Sequence, residues 1–183
     1  MNLALHQYQG AAATPPPGIP QKDADLESVY QAHHAMVYRT AYRVTGNPSD
    51  AEDVLQTVFL RLMKNETAME QPEGYLRRAA VNASIDLLRE RQRTGQSDRL
   101  ESVPASNPVC TELNELRAAL RRAVSKLEPR QGEMVALRFF EGYSNKEIAQ
   151  MFNISQILVA VTLHRAKSKL QKELAVFNTG GRQ

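Results

Sequence analysis

The sequence predicts an all-α fold in which two small helical domains are joined by a flexible linker. Apolar residues recur at helical spacing through both halves of the 183-residue chain, and no segment shows the alternation of a β-strand. Residues 94–111 contain Gly, Ser, Asn and two prolines with few large apolar side chains, a composition typical of a linker. The domains are therefore predicted at residues 23–93 and 112–175, with a disordered Pro-rich tail at 1–22 and a short tail at 176–183.

Three helices are predicted in the N-terminal domain. The first ends at Thr45-Gly46, since glycine favours a helix end and Pro48 suits the first position of the next helix. The second covers about residues 48–64, and the third covers about 73–93 after the polar segment 65–73. The side chains at core-facing positions are Leu26, Val29, Tyr30, Val37, Tyr38, Ala41, Tyr42, Val54, Leu55, Val58, Phe59, Leu62, Leu76, Ala79, Ala80, Ala83, Leu87 and Leu88.

The second predicted helix has a capped and acidic first turn. Asn47 can accept a hydrogen bond from a free backbone N–H of that turn. Asp50, Glu52 and Asp53 follow where the helix dipole favours negative charge. Capping explains much of this acid, so a solvated helix start is the simpler interpretation of any one carboxylate. A binding role for these carboxylates is therefore inferred only together with the motifs found elsewhere in the chain.

The C-terminal domain begins with a helix from about residue 112. Its candidate core residues are Leu113, Leu116, Leu120, Val124 and Leu127. Further helices are predicted from Pro129 through Phe140, over 145–152 and over 156–175. The last two, separated by a three-residue turn, have the order of a helix-turn-helix.

Local signals support that helix-turn-helix. Ser144 and Glu147 have the spacing of a capping box, and the small Ala149 allows the two helix axes to approach closely. Basic residues near the end of the final helix are suited to phosphate contacts: Arg165, Lys167 and Lys169. An ordinary helical hairpin is the alternative interpretation.

The third predicted helix carries a polar stripe. Asn82, Asp86, Arg89 and Arg93 are three or four residues apart and share one helix face, which can hydrogen-bond base edges and phosphates. Tyr75 at the start of the helix can stack on a base. A solvated outer face with a core tyrosine explains these residues equally well.

Charge and composition narrow the function classes. Residues 23–93 carry nine Lys/Arg and eleven Asp/Glu, a net −2, whereas residues 113–175 carry eleven and six, a net +5. The basic half can therefore meet nucleic acid and the acidic half another partner. The single Cys110 excludes an internal disulfide, and no metal spacing, Gly-rich phosphate loop or nucleophile motif supports an enzyme or a cofactor. Without an apolar run long enough to span a bilayer or a secretion signal, the chain is expected in the cytoplasm, with no membrane insertion.

With these motifs in order, the chain resembles bacterial sigma factors of the extracytoplasmic-function (ECF) group over about residues 25–175. Residues similar to sigma region 2 are Tyr30-x-x-His33, Val37-Tyr38-Arg39, Asp50-Ala51-Glu52-Asp53-x-x-Gln56-x-Val58-Phe59, Tyr75-Leu76 and Asn82-x-x-x-Asp86. Residues similar to region 4 are Leu127-Glu128-Pro129-Arg130-Gln131, Gly142-Tyr143-Ser144-x-x-Glu147-Ile148-Ala149, Ile154-Ser155 and Leu163-His164-Arg165-Ala166.

The resemblance implies a transcription initiation factor with named sites. Contacts to the β′ clamp helices of core RNA polymerase would be made by Asp50, Glu52, Asp53 and Gln56. The loop 65–73 and the third helix would melt and hold the promoter −10 element through Tyr75, Arg78, Asn82, Asp86, Arg89 and Arg93. The −35 element would be bound by Ser155, Gln156, Thr162, His164, Arg165, Lys167 and Lys169. The β flap and an anti-sigma factor are further implied partners, and a stress or envelope response is the implied regulon.

Three departures from the family pattern stand out. Tyr75 occupies a position where the family usually has Trp, which keeps an aromatic ring there. The recognition helix carries apolar Ile157, Leu158, Ala160 and Val161 where the family typically has a Gly-Thr-Val and basic base-reading residues. These side chains cannot donate hydrogen bonds to bases, so −35 recognition is expected to be weak or unusual. The family pattern gives the Pro-rich N-terminal tail no role.

Two other functions compete with the initiation factor. A stand-alone helix-turn-helix regulator needs a base-reading recognition helix and leaves the acidic helix without a role. A helical adaptor with a degenerate DNA-binding domain fits the apolar recognition helix but leaves Asn82, Asp86 and the following arginines unexplained. The motifs similar to sigma regions 2 and 4, which occur together and in this order, therefore favour the sigma factor.

Overall fold

The computed structural model describes residues 21–64, 72–95 and 108–175, and side chains from Leu26 and Leu113 onward in the first and third segments. This part of the chain forms α-helices and no strand: α1 (Gln21–Thr45), α2 (Pro48–Met63), α3 (Pro72–Arg93), α4 (Pro108–Ser125), α5 (Pro129–Phe139), α6 (Asn145–Phe152) and α7 (Gln156–Glu173). The all-α prediction is confirmed. The predictions for the N-terminal tail before Gln21, for segment 65–71, for linker residues 96–107 and for 176–183 lie outside the described residues.

Helices α1, α2 and α3 pack together into the N-terminal domain. Their apolar stripes form one core that includes Val37, Ala41, Ala51, Val54, Val58, Phe59, Leu62, Leu76, Ala80 and Ala83. The ring centroids of Tyr30 and Phe59 lie 4.9 Å apart in an edge-to-face arrangement that joins α1 to α2. Tyr42, expected in this core, is exposed because it lies on the outer side of α1.

The start of α2 has the predicted cap. Oδ1 of Asn47 accepts a hydrogen bond from the backbone N–H of Asp50 at 3.2 Å, and Pro48 occupies the first helical position. Gly46 has a φ of +71°, the left-handed conformation that turns the chain between α1 and α2. These local groups fix the angle at which the acidic helix leaves α1.

Helices α4 to α7 form the C-terminal domain around Val124, Leu127, Leu137, Ile148, Val159 and Leu163. Its first helix differs from the prediction in two ways. It begins at Pro108, so the last four residues of the predicted linker are helical. Leu113 and Leu116 are 45% and 42% exposed rather than buried, because the buried face of α4 begins at Ala118.

The two domains also pack against each other. Val44 of α1 and Val81 and Ile85 of α3 are buried in the same apolar cluster as the C-terminal residues. Helix α3 contacts both α4 and α5 and is therefore the element that the domains share. The sequence predicted two domains but no particular contact between them, because their contact depends on residues far apart in the chain.

Candidate polymerase-binding and nucleic-acid interfaces

The exposed face of α2 begins acidic and ends apolar. Glu52, Asp53 and Gln56 are exposed as predicted. Leu60 and Met63 continue the same face at helical spacing and are 59% and 46% exposed. The predicted residue set omitted these two, although their distances of four and seven residues from Gln56 identify the stripe. The five residues Glu52, Asp53, Gln56, Leu60 and Met63 are called the α2 face below.

Asp50 does not belong to this face, which corrects its assignment as a surface contact. Its side chain is 1% exposed, and Oδ1 accepts a hydrogen bond from Nη2 of Arg91 on α3. Burial raises the pKa of the Asp50 carboxyl above its ordinary value, against the lowering effect of Arg91. Asp50 therefore joins α2 to α3. Its position four residues before buried Val54 was the available signal.

The helix-turn-helix is formed by α6, the turn 153–155 and α7. The Ser144 Oγ accepts from the N–H of Glu147 at 3.2 Å, while the Ser144 N–H donates to Oε2 of Glu147 at 2.8 Å. The Ser144 hydroxyl also donates to Oε2 of Glu147 at 2.6 Å, and this bond, together with that from the Ser144 N–H, lowers the pKa of the Glu147 carboxyl. Asn153 adopts the left-handed conformation at the end of α6, with φ 50° and ψ 51°. The capping box and the predicted helix-turn-helix are thus present.

The outer surface of α7 combines apolar and basic side chains. Ile157 is 77% exposed, and Leu158, Ala160 and Val161 are also exposed. Among the predicted −35 residues, those exposed are Ser155, Gln156, His164, Arg165, Lys167 and Lys169, while Thr162 is half-buried. Ser155 is also the cap of α7, its Oγ accepting the N–H of Leu158 at 3.2 Å. Val159 and Leu163 are buried, so the opposite side of α7 faces away from the domain core.

The predicted −10 residues on α3 do not form one open surface. Tyr75 and Asn82 are half-buried, and Asp86 is exposed and accepts from Nη1 of Arg89 at 3.1 Å. Arg93 is exposed and pairs with Glu90. Arg78 and Arg89 instead reach the C-terminal domain, where Arg78 pairs with Glu133 and Arg89 donates to backbone oxygens. The sequence contained no local signal for these long-range pairs.

Comparison with known proteins identifies both domains. The family model for Sigma-70 region 2 matches residues 29–94, which extend from α1 to the end of α3. The model for Sigma-70 region 4 matches residues 117–170, which extend from α4 into α7 and include the helix-turn-helix. The chain is 31% identical over 159 residues to the RNA polymerase sigma-E factor of Streptomyces coelicolor, covering 82% of this chain and 86% of that protein. The chain belongs to the ECF group of sigma factors.

Two further relatives extend the comparison of this sigma factor. The ECF RNA polymerase sigma factor SigE of Mycolicibacterium smegmatis is 32% identical over 158 residues, which cover 81% of this chain and 61% of that protein. The sigma factor RpoE of Bartonella quintana, crystallised with the anti-sigma factor NepR, aligns at 17% identity and a TM-score of 0.48 over 83% of this chain and 98% of that one.

The described residues contain neither a membrane-spanning helix nor a cluster of metal-ligating side chains. None of the helices in segments 21–64, 72–95 and 108–175 combines the length and apolarity that crossing a bilayer requires. Within those same segments, no three His, Cys, Asp or Glu side chains cluster as metal ligands would. Sigma factors are transcription initiation factors.

Proposed function

We propose that this sigma factor binds core RNA polymerase through the α2 face and directs it to promoters. The observation that carries the proposal is the α2 face itself: exposed Glu52, Asp53 and Gln56 precede exposed Leu60 and Met63 on one helix of region 2. An apolar patch beside charged groups is typical of a protein interface. The β′ clamp helices are the proposed partner of this face.

Region 2 is also proposed to open the promoter at the −10 element. Tyr75, Asn82 and Asp86 are spaced along α3 and offer an aromatic ring, an amide and a carboxylate to an unpaired base. Flipping a base costs a few kcal/mol, which stacking and hydrogen bonds in a pocket must offset. Arg78, Arg89 and Arg93 are the proposed phosphate contacts.

Region 4 is proposed to bind the −35 duplex through α7. Basic Arg165, Lys167 and Lys169 would contact phosphates, and Gln156, His164 and Thr162 would supply the hydrogen bonds. The exposed apolar residues Ile157, Leu158 and Val161 can meet only thymine methyls among base edges. This composition supports weak −35 specificity. The β flap and an anti-sigma factor are further proposed partners, and the proposed regulon serves a stress or envelope response.

One observation supports a second candidate function. The exposure of Ile157 and Leu158 fits a helix that packs on another protein, as a helical adaptor with a degenerate DNA-binding domain would require. That adaptor would bind polymerase without supporting initiation at defined sites. A regulator that binds duplex DNA alone has no comparable support from α7.

Run-off transcription tests the proposal directly. Purified core RNA polymerase is incubated with fragmented genomic DNA of the source organism, with and without the sigma factor, and the RNA 5′ ends are mapped. We expect start sites that appear only when the sigma factor is present and that share a −10 motif. Polymerase binding without any new start site would reject the initiation factor in favour of the adaptor.

A further inference from the structure

A cavity lies where the ends of α1 and α3 meet the C-terminal half of α4. Its volume is about 40 Å³, and one enclosed water needs about 10–15 Å³ on that measure, so there is room for about three waters or one tetrahedral anion. The residues that line it include Leu88, Arg91, Gln92, Ala118, Arg121 and Arg122, and none of the described lining residues is acidic. It is called the arginine cavity below.

Arg121 is the lining arginine whose charge the described residues compensate least. Its Nε donates to the backbone oxygen of Val44 at 3.2 Å. Within the described segments, neither Nη1 nor Nη2 has a hydrogen-bond acceptor, and no carboxylate pairs with this side chain. Burial lowers the pKa of the Arg121 guanidinium, and the positive charge of Arg117 lowers it further. An anion beside Arg121 would supply the missing counter-charge.

Two more cationic side chains reach the same cavity. Nη2 of Arg91 on α3 pairs with the buried Asp50. Among the described residues, Asp50 is the only carboxylate in an ion pair with any of the three lining arginines. Arg122 is exposed, and its backbone oxygen rather than its guanidinium accepts from Nε2 of Gln92 at 2.9 Å. Three positive charges thus face at most one negative charge.

Such a cluster is unfavourable without an anion. Like charges repel, and a cation removed from water loses hydration that another group must replace. Leu88 and Ala118 form an apolar part of the cavity wall, where attraction between opposite charges is stronger than in bulk water. One anion inside the cavity would offset the repulsion among all three arginines.

We propose that the arginine cavity binds a phosphate dianion, the group shared by inorganic phosphate and phosphate monoesters. Guanidinium forks match the oxygens of phosphate and form short, charge-assisted hydrogen bonds with them. Arg121 and Arg122 approach from α4, and Arg91 approaches from α3 with the donors that Asp50 does not use. These three arginines lie outside the residues proposed above to bind polymerase or DNA, so the site is an additional one.

Size and charge select the kind of phosphate. A cavity with room for about three waters admits one phosphate group, and the rest of an organic monoester would extend into solvent. A phosphodiester carries one charge instead of about two and has a substituent on each side of the group. The cavity therefore favours a terminal phosphate over the backbone of a nucleic acid.

The first experiment is calorimetric titration of the full chain with three small probes. Inorganic phosphate, methyl phosphate and dimethyl phosphate are compared at equal ionic strength in chloride, above the second phosphate pKa of about 6. We expect one phosphate per chain and at least about tenfold weaker binding of dimethyl phosphate, which lacks the second charge. Equal affinities for the first two probes would assign the phosphate group alone, and tighter methyl phosphate would assign an organic monoester.

The test variant is Arg122→Gln, with Arg117→Gln as its matched control. Both side chains are exposed on α4, but only Arg122 lines the cavity. Losing one charge-assisted hydrogen bond should weaken phosphate binding by Arg122→Gln at least about tenfold. The control removes the same charge nearby and should lose less than about threefold, since exposed charges interact weakly through water.

Ala118→Val separates an enclosed site from general attraction to a basic surface. It keeps all three arginines and adds two methyl groups to the cavity wall. We expect phosphate affinity to fall at least about fivefold while urea unfolding confirms that the variant is folded. If it does not fold, the comparison of Arg122→Gln with Arg117→Gln still decides, because both of those positions are exposed.

Three results would overturn the proposal. The first is no saturable binding of inorganic phosphate or methyl phosphate by the unmodified chain up to about 10 mM, a concentration well above a millimolar Kd. The second is an equal loss of affinity in Arg122→Gln and Arg117→Gln. The third is dimethyl phosphate binding as tightly as methyl phosphate, which would instead assign the cavity to a nucleic-acid backbone.

Discussion

Nε of Arg78 on α3 lies 2.7 Å from Oε1 of Glu133 on α5, and this ion pair joins regions 55 residues apart in the sequence. The side chain of Glu133 is 8% exposed, whereas that of Arg78 is 37% exposed. Removing Arg78 would therefore leave the charge of the buried Glu133 carboxylate uncompensated, which is destabilising. While region 4 packs against α3 in this way, the Nε–H donor of Arg78 is occupied by Glu133.

Asp53→Lys is expected to abolish polymerase binding while leaving the fold intact. Asp53 is exposed on the α2 face, and a charge reversal there opposes any basic surface that the acidic turn meets. Even in the first turn of a helix an exposed charge contributes at most about 1 kcal/mol to stability, and Asp53 lies beyond the first turn of α2. Affinity for core polymerase is measured by fluorescence anisotropy and unfolding by circular dichroism. Glu115→Lys, an equal reversal on exposed α4, is the control and should bind as the unmodified chain does.

Leu60→Ser with Met63→Ser tests the apolar end of the α2 face. Burying a large apolar side chain at an interface is worth about 1.5–3 kcal/mol when it is complete. Both side chains are already partly covered in the free chain, so we expect the pair to lose about tenfold in polymerase affinity with unfolding little changed. Leu113→Ser with Leu116→Ser also replaces two large apolar side chains by serine, at exposed positions of α4. If both pairs weaken binding equally, the α2 face is not the specific contact.

The sequence predicted interactions between residues close together in the chain and did not predict those between distant residues. The caps at Asn47 and Ser144 were predictable because each joins groups three residues apart, and the starts of α2 and α6 follow from them. The pair of Arg78 and Glu133 was not, since nothing local to either residue marks a partner 55 positions away. Because of such long-range contacts, arginines that were expected on the DNA-binding surface instead join the two domains.

Asp50 and Leu113 show two other limits. The sequence pattern groups Asp50 with the other helix-start acids, although its register with buried Val54 places it on the inner stripe. Leu113 had the periodicity of a core residue, but periodicity gives the face of a helix and not where its neighbours begin. Whether a residue is buried thus depends both on the helix face that it occupies and on whether neighbouring helices extend far enough to cover that face.

Gly46→Ala is expected to destabilise the chain by more than a change of backbone preference alone. Gly46 has a φ of +71°, and a Cβ there would lie 2.0 Å from Nη2 of Arg121, whose Nε donates to the backbone oxygen of Val44 at 3.2 Å. Gly95→Ala has a similar φ of +69° and, among the described residues, no neighbouring atom within 4 Å, so it measures the backbone cost alone, about 1–2 kcal/mol.

Gly46→Ala should lower the free energy of unfolding by about 1.5 kcal/mol more than Gly95→Ala does. This is the value of a hydrogen bond from a charged donor, here the bond from Arg121 to Val44. Urea unfolding of Gly46→Ala, Gly95→Ala, Arg121→Ala and the double variant at 46 and 121 gives both terms. In the Arg121→Ala background, Gly46→Ala should cost the same as Gly95→Ala costs in the unmodified chain. A persistent excess there would mean that Arg121 is not the obstacle.

Arg165→Ala tests phosphate binding by α7. Arg165 is exposed, and a single phosphate contact contributes about one unit to the slope of log affinity against log salt concentration. We expect polymerase containing this variant to bind promoter duplex less tightly, by similar factors across −35 sequences, with the salt slope reduced by about one. Lys172→Ala, also exposed but in the last turn of α7, is the control. A loss confined to one −35 sequence would instead assign Arg165 to base readout.

Asp50→Asn should change how stability depends on pH. Burial, partly opposed by Arg91 and reinforced by Asp53, raises the pKa of the Asp50 carboxyl above its ordinary value of 3.8. The folded state then binds more protons than the unfolded state, so the stability that Asp50 contributes is greatest below the unfolded pKa. It declines as the pH rises toward the folded pKa, by at most about 1.4 kcal/mol per pH unit.

Asparagine cannot titrate, so the free energy of unfolding of the unmodified chain minus that of Asp50→Asn should fall as the pH rises from 4 and then level off. Urea unfolding of both proteins at half-unit pH steps measures this difference. Arg91→Ala removes the lowering effect on the pKa and should extend the fall to higher pH. A difference that instead grows with pH would show that the pair with Arg91 outweighs burial, since a depressed carboxyl pKa gives the opposite sign.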